Sequence, residues 1–249
     1  MPAKFIIIAL IYINILIPAW IWNHELFLLV NGFNSPVSDY IIGLVSGFAD
    51  GLVAVVLIVM LMLFHFRLGL AALLAFIASG LVAQILKRIF DMPRPPSVFD
   101  DVHLLGERLS AYSFPSGHSA TAGVLAFLAL LLFKPYPKLA WGLFFLGALI
   151  AYGRIYSGVH FPLDVVVGFA IGVVSMCWCN KLSQTWNTEK WQQSEWSWKL
   201  SGLCLMIAAV TLAMGYHIQP STAQPLTFIV PIIALFTLMQ AWKKKLYHG

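Results

Sequence analysis

Three short polar stretches interrupt a chain that is otherwise almost wholly apolar: Lys87 to Pro95, Pro115-Ser116-Gly117-His118, and Arg154 through His160 to Asp164. They offer three cations (Lys87, Arg94, Arg154), two histidines (His118, His160) and one carboxylate (Asp164). Such a set can hold a phosphate and attack it with a histidine. Ionisable groups are costly to keep in lipid, so where they persist they point to function.

Each stretch has its own chemistry. A lysine gives a phosphate a point charge and an arginine gives it a planar fork. Pro93, Pro95 and Pro96 stiffen the chain around Arg94. Taken alone, Lys87 and Arg94 read as snorkelling anchors at a span end. Pro115 and Gly117 set a turn just before a helix, whose free N–H groups favour an anion. Ser116 suits the N-cap and can add a hydroxyl, and His118 can protonate a leaving oxygen. Taken alone, that turn is a cap and that histidine is interfacial. Pro162 suits the first turn of a helix, and a spacing of four puts His160 and Asp164 on one face. The carboxylate can take the proton of one ring nitrogen and leave the other free as a nucleophile. The competing reading is an interfacial ion pair, which explains the pair but not its meeting with the other two stretches.

The elements that must position these groups follow from composition. Of 249 residues, 60% are hydrophobic and 10% charged, with a mean hydropathy of +0.85. Soluble domains carry about 25% charged residues, so the chain reads as an integral membrane protein, a single domain over 1–249. A span needs about 20 apolar residues. Eight stretches qualify: 4–22, 42–64, 68–87, 118–133, 138–153, 163–180, 200–216 and 225–242. The expected fold is all-α, a polytopic transmembrane helical bundle. Lys4 and the apolar run Phe5 to Ile17 resemble a signal peptide, but no small-x-small site follows, so an uncleaved first span is expected.

Basic residues set the orientation. With the N-terminus in the cytoplasm, Lys4, Arg67, Lys134, Lys138, Lys181, Lys190, Lys199, Lys243, Lys244 and Lys245 all fall inside. Lys87, Arg88, Arg94, Arg108 and Arg154 fall outside, and all three polar stretches share that non-cytoplasmic side. The net charge of +5 is spread over loops, so topology explains it and no nucleic-acid partner is implied. Cys177, Cys179 and Cys204 form no zinc pattern and are expected to pack. Residues 181–199, with Trp186, Trp191, Trp196 and Trp198, read as an interfacial segment. The outer loop 88–115 is long enough to rim or cover a site.

The order Lys87-x6-Arg94-Pro95, Pro115-Ser116-Gly117-His118, Arg154-x5-His160-x3-Asp164 resembles the three-part signature of the type 2 phosphatidic acid phosphatase superfamily. The resemblance covers roughly residues 40–180, where a six-span core would lie, and leaves the pair of spans at 200–242 outside it. It implies a metal-independent phosphatase with no cofactor, working through a phosphohistidine. By the resemblance His160 is the nucleophile, Asp164 orients it and His118 is the general acid. Lys87, Arg94 and Arg154 would grip the phosphate, with Ser116 and the amide of Gly117. Gly153 departs from the family pattern, which usually has a serine there, and loosens one phosphate contact by that reading.

The expected partners are the bilayer and a lipid phosphate: undecaprenyl diphosphate, phosphatidylglycerol phosphate, phosphatidic acid or the 1-phosphate of lipid A. A bacterial isoprenoid diphosphate at the outer face of the inner membrane is favoured. A phosphotransferase would use the same chemistry with a lipid acceptor. A transporter would keep its ionisable groups near the midplane, whereas these lie at span ends. A metal hydrolase built on His118, His160 and Asp164 is disfavoured because the surrounding cations would repel the ion. Asp50 is read as interfacial, in a span that begins later than 42. His24, His65, His103, His217 and His248 are given no role.

Overall fold

In lipid, a backbone satisfies its own N–H and C=O groups only as a helix or a closed barrel. The computed structural model describes the backbone of residues 2–248 and the side chains of 10–191 and 194–243, and it is helical almost throughout. In chain order the helices are α1 (Pro2–Ile21), α2 (Asn23–Gly32), α3 (Pro36–Ser46), α4 (Gly51–Met62), α5 (Phe66–Phe90) and α6 (Pro95–Val98). There follow α7 (Gly117–Leu132), α8 (Pro137–Tyr156), α9 (Pro162–Ser183), α10 (Glu189–Gln193), α11 (Glu195–Ala213) and α12 (Leu226–His248). Among the described residues five helices are long and apolar enough to cross a membrane, or up to seven if each of two bent pairs is one span. The shorter apolar helix is α7.

The two bent pairs correct the sequence reading. The first apolar run, 4–22, is α1, and at its end the chain turns by 89° into α2, a helix the sequence reading did not mark. Asn23, His24, Glu25 and Asn31 make α2 too polar to register as an apolar run. The second span begins at Pro36 rather than 42 or later. Ser35 caps α3, its Oγ accepting from Ser38 N at 3.2 Å, with Pro36 at the first helical position. That span then breaks at a 3-10 turn, Gly47–Ala49, and α4 departs at 57°. Asp50 accepts from Leu52 N at 2.9 Å and Val53 N at 3.3 Å, so it is the N-cap of α4. Its carboxylate is buried.

The centre of the bundle is α7, packed against α5, α8 and α9. Helices come this close in lipid where small residues line the seam. A Cβ on Gly172 of α9 would lie 1.9 Å from the Ala120 carbonyl oxygen of α7, and one on Gly123 of α7 would lie 2.2 Å from the Phe169 carbonyl oxygen of α9. Backbone cannot yield as a flexible side chain can. Gly172→Ala should therefore destabilise the fold by about 2–3 kcal/mol, the usual cost of overpacking, read as a lower melting temperature in detergent.

The C-terminal pair docks elsewhere. Leu205, Leu212, Leu226 and Val230 of α11 and α12 join Val53, Val56 and Val59 of α4 in one buried cluster. Two cysteines depart from expectation: Cys177 and Cys204 face outward from α9 and α11, and only Cys179 packs partly against the core. The tryptophan segment forms α10 and the start of α11, with Trp191 and Trp196 exposed and Trp198 edge-on to Trp242 at 5.2 Å. The side chains of Lys4, Lys244, Lys245 and His248 lie outside the described residues.

Candidate active site

α5 and α8 finish, and α7 and α9 begin, at one end of the bundle. Lys87 stands in the last turn of α5, where its Nζ donates to the Tyr112 carbonyl and, at 3.4 Å, to that of Ser113. Arg94 lies just before α6. Its Nε donates to Ala111 O at 2.9 Å, and its Nη1 donates to Val159 O at 3.0 Å and lies 3.3 Å from His160 Nε2. The loop between α6 and α7 thus supplies carbonyls to both cations. Arg154, in the last turn of α8, is buried and its Nε has no protein partner.

Ser116 caps α7, accepting from Ser119 N at 3.3 Å and Ser119 Oγ at 2.9 Å. Its own N–H donates to Asp164 O at 3.0 Å, which fixes the start of α7 against the start of α9. Gly117 and His118 are half-buried, and His118 Nε2 lacks a protein partner. His118 lies within electrostatic reach of Arg154, His160, Arg94 and Lys87. The structure therefore brings all three stretches into one cluster.

His160 sits in the turn between α8 and α9 and is 2% exposed. Its Nδ1 is 3.3 Å from Asp164 Oδ2. That oxygen also accepts from Phe161 N at 2.9 Å and from Ser113 Oγ at 2.5 Å. The tautomer follows from the partners. A guanidinium has only N–H donors, so Nε2, facing Arg94, carries the lone pair and Nδ1 carries the proton. Burial, reinforced by Arg94, Lys87 and Arg154, holds His160 well below the usual histidine range. Its ring is neutral at neutral pH, and Nε2 carries the lone pair a nucleophile requires, held by Arg94 until a phosphate takes that guanidinium.

Ser113 was not singled out from the sequence, although it stands only two residues before Pro115. Its hydroxyl also lies 3.5 Å from His160 Nδ1. Ser113→Ala should lower kcat/KM about tenfold, the range for one hydrogen bond to a charged group, as measured by steady-state turnover. Gly153 also finds a reason. A Cβ there would lie 3.1 Å from Ile42 Cγ2 and 3.3 Å from Ser46 Cβ, so a bare backbone lets α8 settle on α3. His24 lies edge-on to Phe99 and tilted against Phe161, and His103 pairs with Asp39 at 2.9 Å. Among the described residues no three or more His, Cys, Asp or Glu gather where they could hold a metal ion.

Residues 68–188 match the PAP2 superfamily, a segment that takes in all eight candidate residues. The crystal structure of Aquifex aeolicus LpxE is 35% identical, with a TM-score of 0.58 over 66% of this chain and 95% of that one. The chain belongs to the PAP2 superfamily. This PAP2 chain is also similar to an undecaprenyl-diphosphatase of Sulfolobus acidocaldarius, 29% identical over 154 residues, which are 61% of this chain and 73% of the relative. A third likeness is the crystal structure of a transmembrane PAP2-type phosphatidylglycerolphosphate phosphatase from Bacillus subtilis. It is 25% identical with a TM-score of 0.53, covering 64% of this chain and 83% of that one. α11 and α12 lie beyond the PAP2 segment.

Proposed function

We propose that this PAP2 protein, an integral membrane lipid phosphatase, hydrolyses the diphosphate of an isoprenoid lipid through a phosphohistidine on His160. The observation that carries the reading is the His160 ring, its Nδ1 side facing Asp164 and its Nε2 facing Arg94, where a phosphate would bind. Lys87, Arg94, Arg154 and the N-terminus of α7 neutralise the substrate, an electrostatic task that strengthens as charge develops in the transition state. A phosphate oxygen would give Arg154 Nε the partner it lacks.

The His160 Nε2 lone pair forms a bond to the terminal phosphorus, and the bond from that phosphorus to the bridging oxygen breaks. The electron pair stays on the bridging oxygen, which takes a proton from the imidazolium of His118, a form that the bound phosphate anion stabilises by offsetting the surrounding cations. Lipid monophosphate leaves. Water then attacks the phosphohistidine, gives a proton back to His118 and restores Nε2 as inorganic phosphate departs. The cations perform what a metal would otherwise supply.

The Sulfolobus relative, an undecaprenyl-diphosphatase by name, supports the isoprenoid diphosphate. The Bacillus structure favours phosphatidylglycerol phosphate as the second reading. We place the site on the non-cytoplasmic face of a bacterial inner membrane, because five basic residues share its side against ten on the other. The test is phosphate release by purified protein in EDTA across four lipids: undecaprenyl diphosphate, phosphatidylglycerol phosphate, phosphatidic acid and lipid A 1-phosphate. Fastest release from the isoprenoid diphosphate is expected. Release from none, or loss of activity on chelation, contradicts the reading.

A further inference from the structure

The two C-terminal spans lie beyond the PAP2 segment, yet the loop that joins them reaches back to α3 and to Asp50 at the start of α4. A Cβ on Gly43 would lie 1.9 Å from Thr222 Oγ1, and one on Gly47 would lie 2.5 Å from Ala223 Cβ. The loop is therefore seated on α3 and the turn that follows it. Its own shape is fixed by Gln224, which donates to Tyr216 O at 2.8 Å and accepts from Ile218 N at 3.2 Å. From this loop the Tyr216 hydroxyl donates to Asp50 Oδ2 at 3.2 Å. Burial, then the Asp50 carboxylate, push that hydroxyl up to about 12, so it keeps its proton.

Asp50 is 6% exposed, as is Arg154, and its neighbour Ala49 packs in one buried cluster with Ile150, Ala151 and Ile155 of α8, which puts the carboxylate within electrostatic reach of that arginine. The other carboxylate of the site, Asp164, is committed to Ser113, Phe161 and His160. Asp50 Oδ1 serves the α4 cap, which leaves Oδ2 as the oxygen that Tyr216 holds. We propose that Tyr216 and Asp50 are positioning residues for the phosphate site: the C-terminal hairpin fixes the Asp50 carboxylate, and Asp50 sets the Arg154 guanidinium against the anion. The inference rests on the phosphatase reading above and gives α11 and α12 a part in it.

The test uses the full chain in detergent. Tyr216→Phe removes one hydroxyl, and Asp50→Asn removes the charge while keeping a good N-cap. Each is measured for turnover of an isoprenoid diphosphate and for binding of inorganic phosphate by calorimetry. Phosphate binding should weaken about tenfold in Asp50→Asn and about threefold in Tyr216→Phe, the scale of a partly buried charge contact and one hydrogen bond. KM should rise more than kcat falls, with little change in melting temperature. The double variant should bind no more weakly than Asp50→Asn alone, because the two act in series. Wild-type phosphate binding in both variants, or losses that multiply in the double variant, would overturn the proposal. A wild-type protein that binds phosphate but turns over no lipid would overturn the phosphatase reading instead, and the binding comparison would still decide this one.

Discussion

His160→Ala is expected to release no phosphate from any lipid above background, a loss on the order of 10⁴ or more for removal of a nucleophile. The loss should fall on chemistry rather than on folding. His160 lies in the turn between α8 and α9, not in a helix seam, and Asp164 keeps its bonds from Ser113 Oγ at 2.5 Å and Phe161 N at 2.9 Å. Circular dichroism and the melting temperature should stay near wild type. Because Arg94 and Arg154 remain, the variant should still bind inorganic phosphate. Turnover at wild-type rates would end the phosphohistidine scheme.

Asp164→Asn should have the second largest effect, a fall in kcat on the order of 10²–10³ with little change in KM. An asparagine can present its amide oxygen where Oδ2 now stands and keep all three hydrogen bonds to His160, Ser113 and Phe161. What it removes is the charge. As Nε2 bonds to phosphorus the ring becomes cationic, among three other cations that all disfavour it. Asp164 is the anion that offsets this in the transition state and not in the resting enzyme, so its loss falls on kcat. Steady-state kinetics checks the split; a variant whose KM rises while kcat holds would assign Asp164 to binding.

Six of the eight residues chosen for chemistry were legible because they are ionisable types that lipid rarely tolerates, and Ser116 and Gly117 because they form the turn before His118; all sit near span ends. The apolar runs likewise marked α1 and the long helices from α5 onward, though not the short α6 and α10. What escaped depended on contacts between distant parts of the chain. Ser113 looks like any loop serine until the fold sets it against Asp164, 51 positions on. The break at Asp50 is invisible to an apolar count, because Gly47-Phe-Ala49 is as apolar as the helices it separates. Gly153 read as a missing hydroxyl, and only the approach of Ile42 and Ser46 shows why no side chain stands there. Cys177 and Cys204 read as packing residues because their segments are apolar, but in lipid an apolar residue has no need to face inward.

The most direct test of the account is to trap the intermediate. Purified protein is mixed with an isoprenoid diphosphate labelled in its terminal phosphate, quenched in alkali within a turnover, and digested. The account predicts label on the peptide containing His160, stable in alkali and lost in acid, as a phosphohistidine is, and absent from His160→Ala. Turnover with no labelled protein, or label on any other residue, would contradict it.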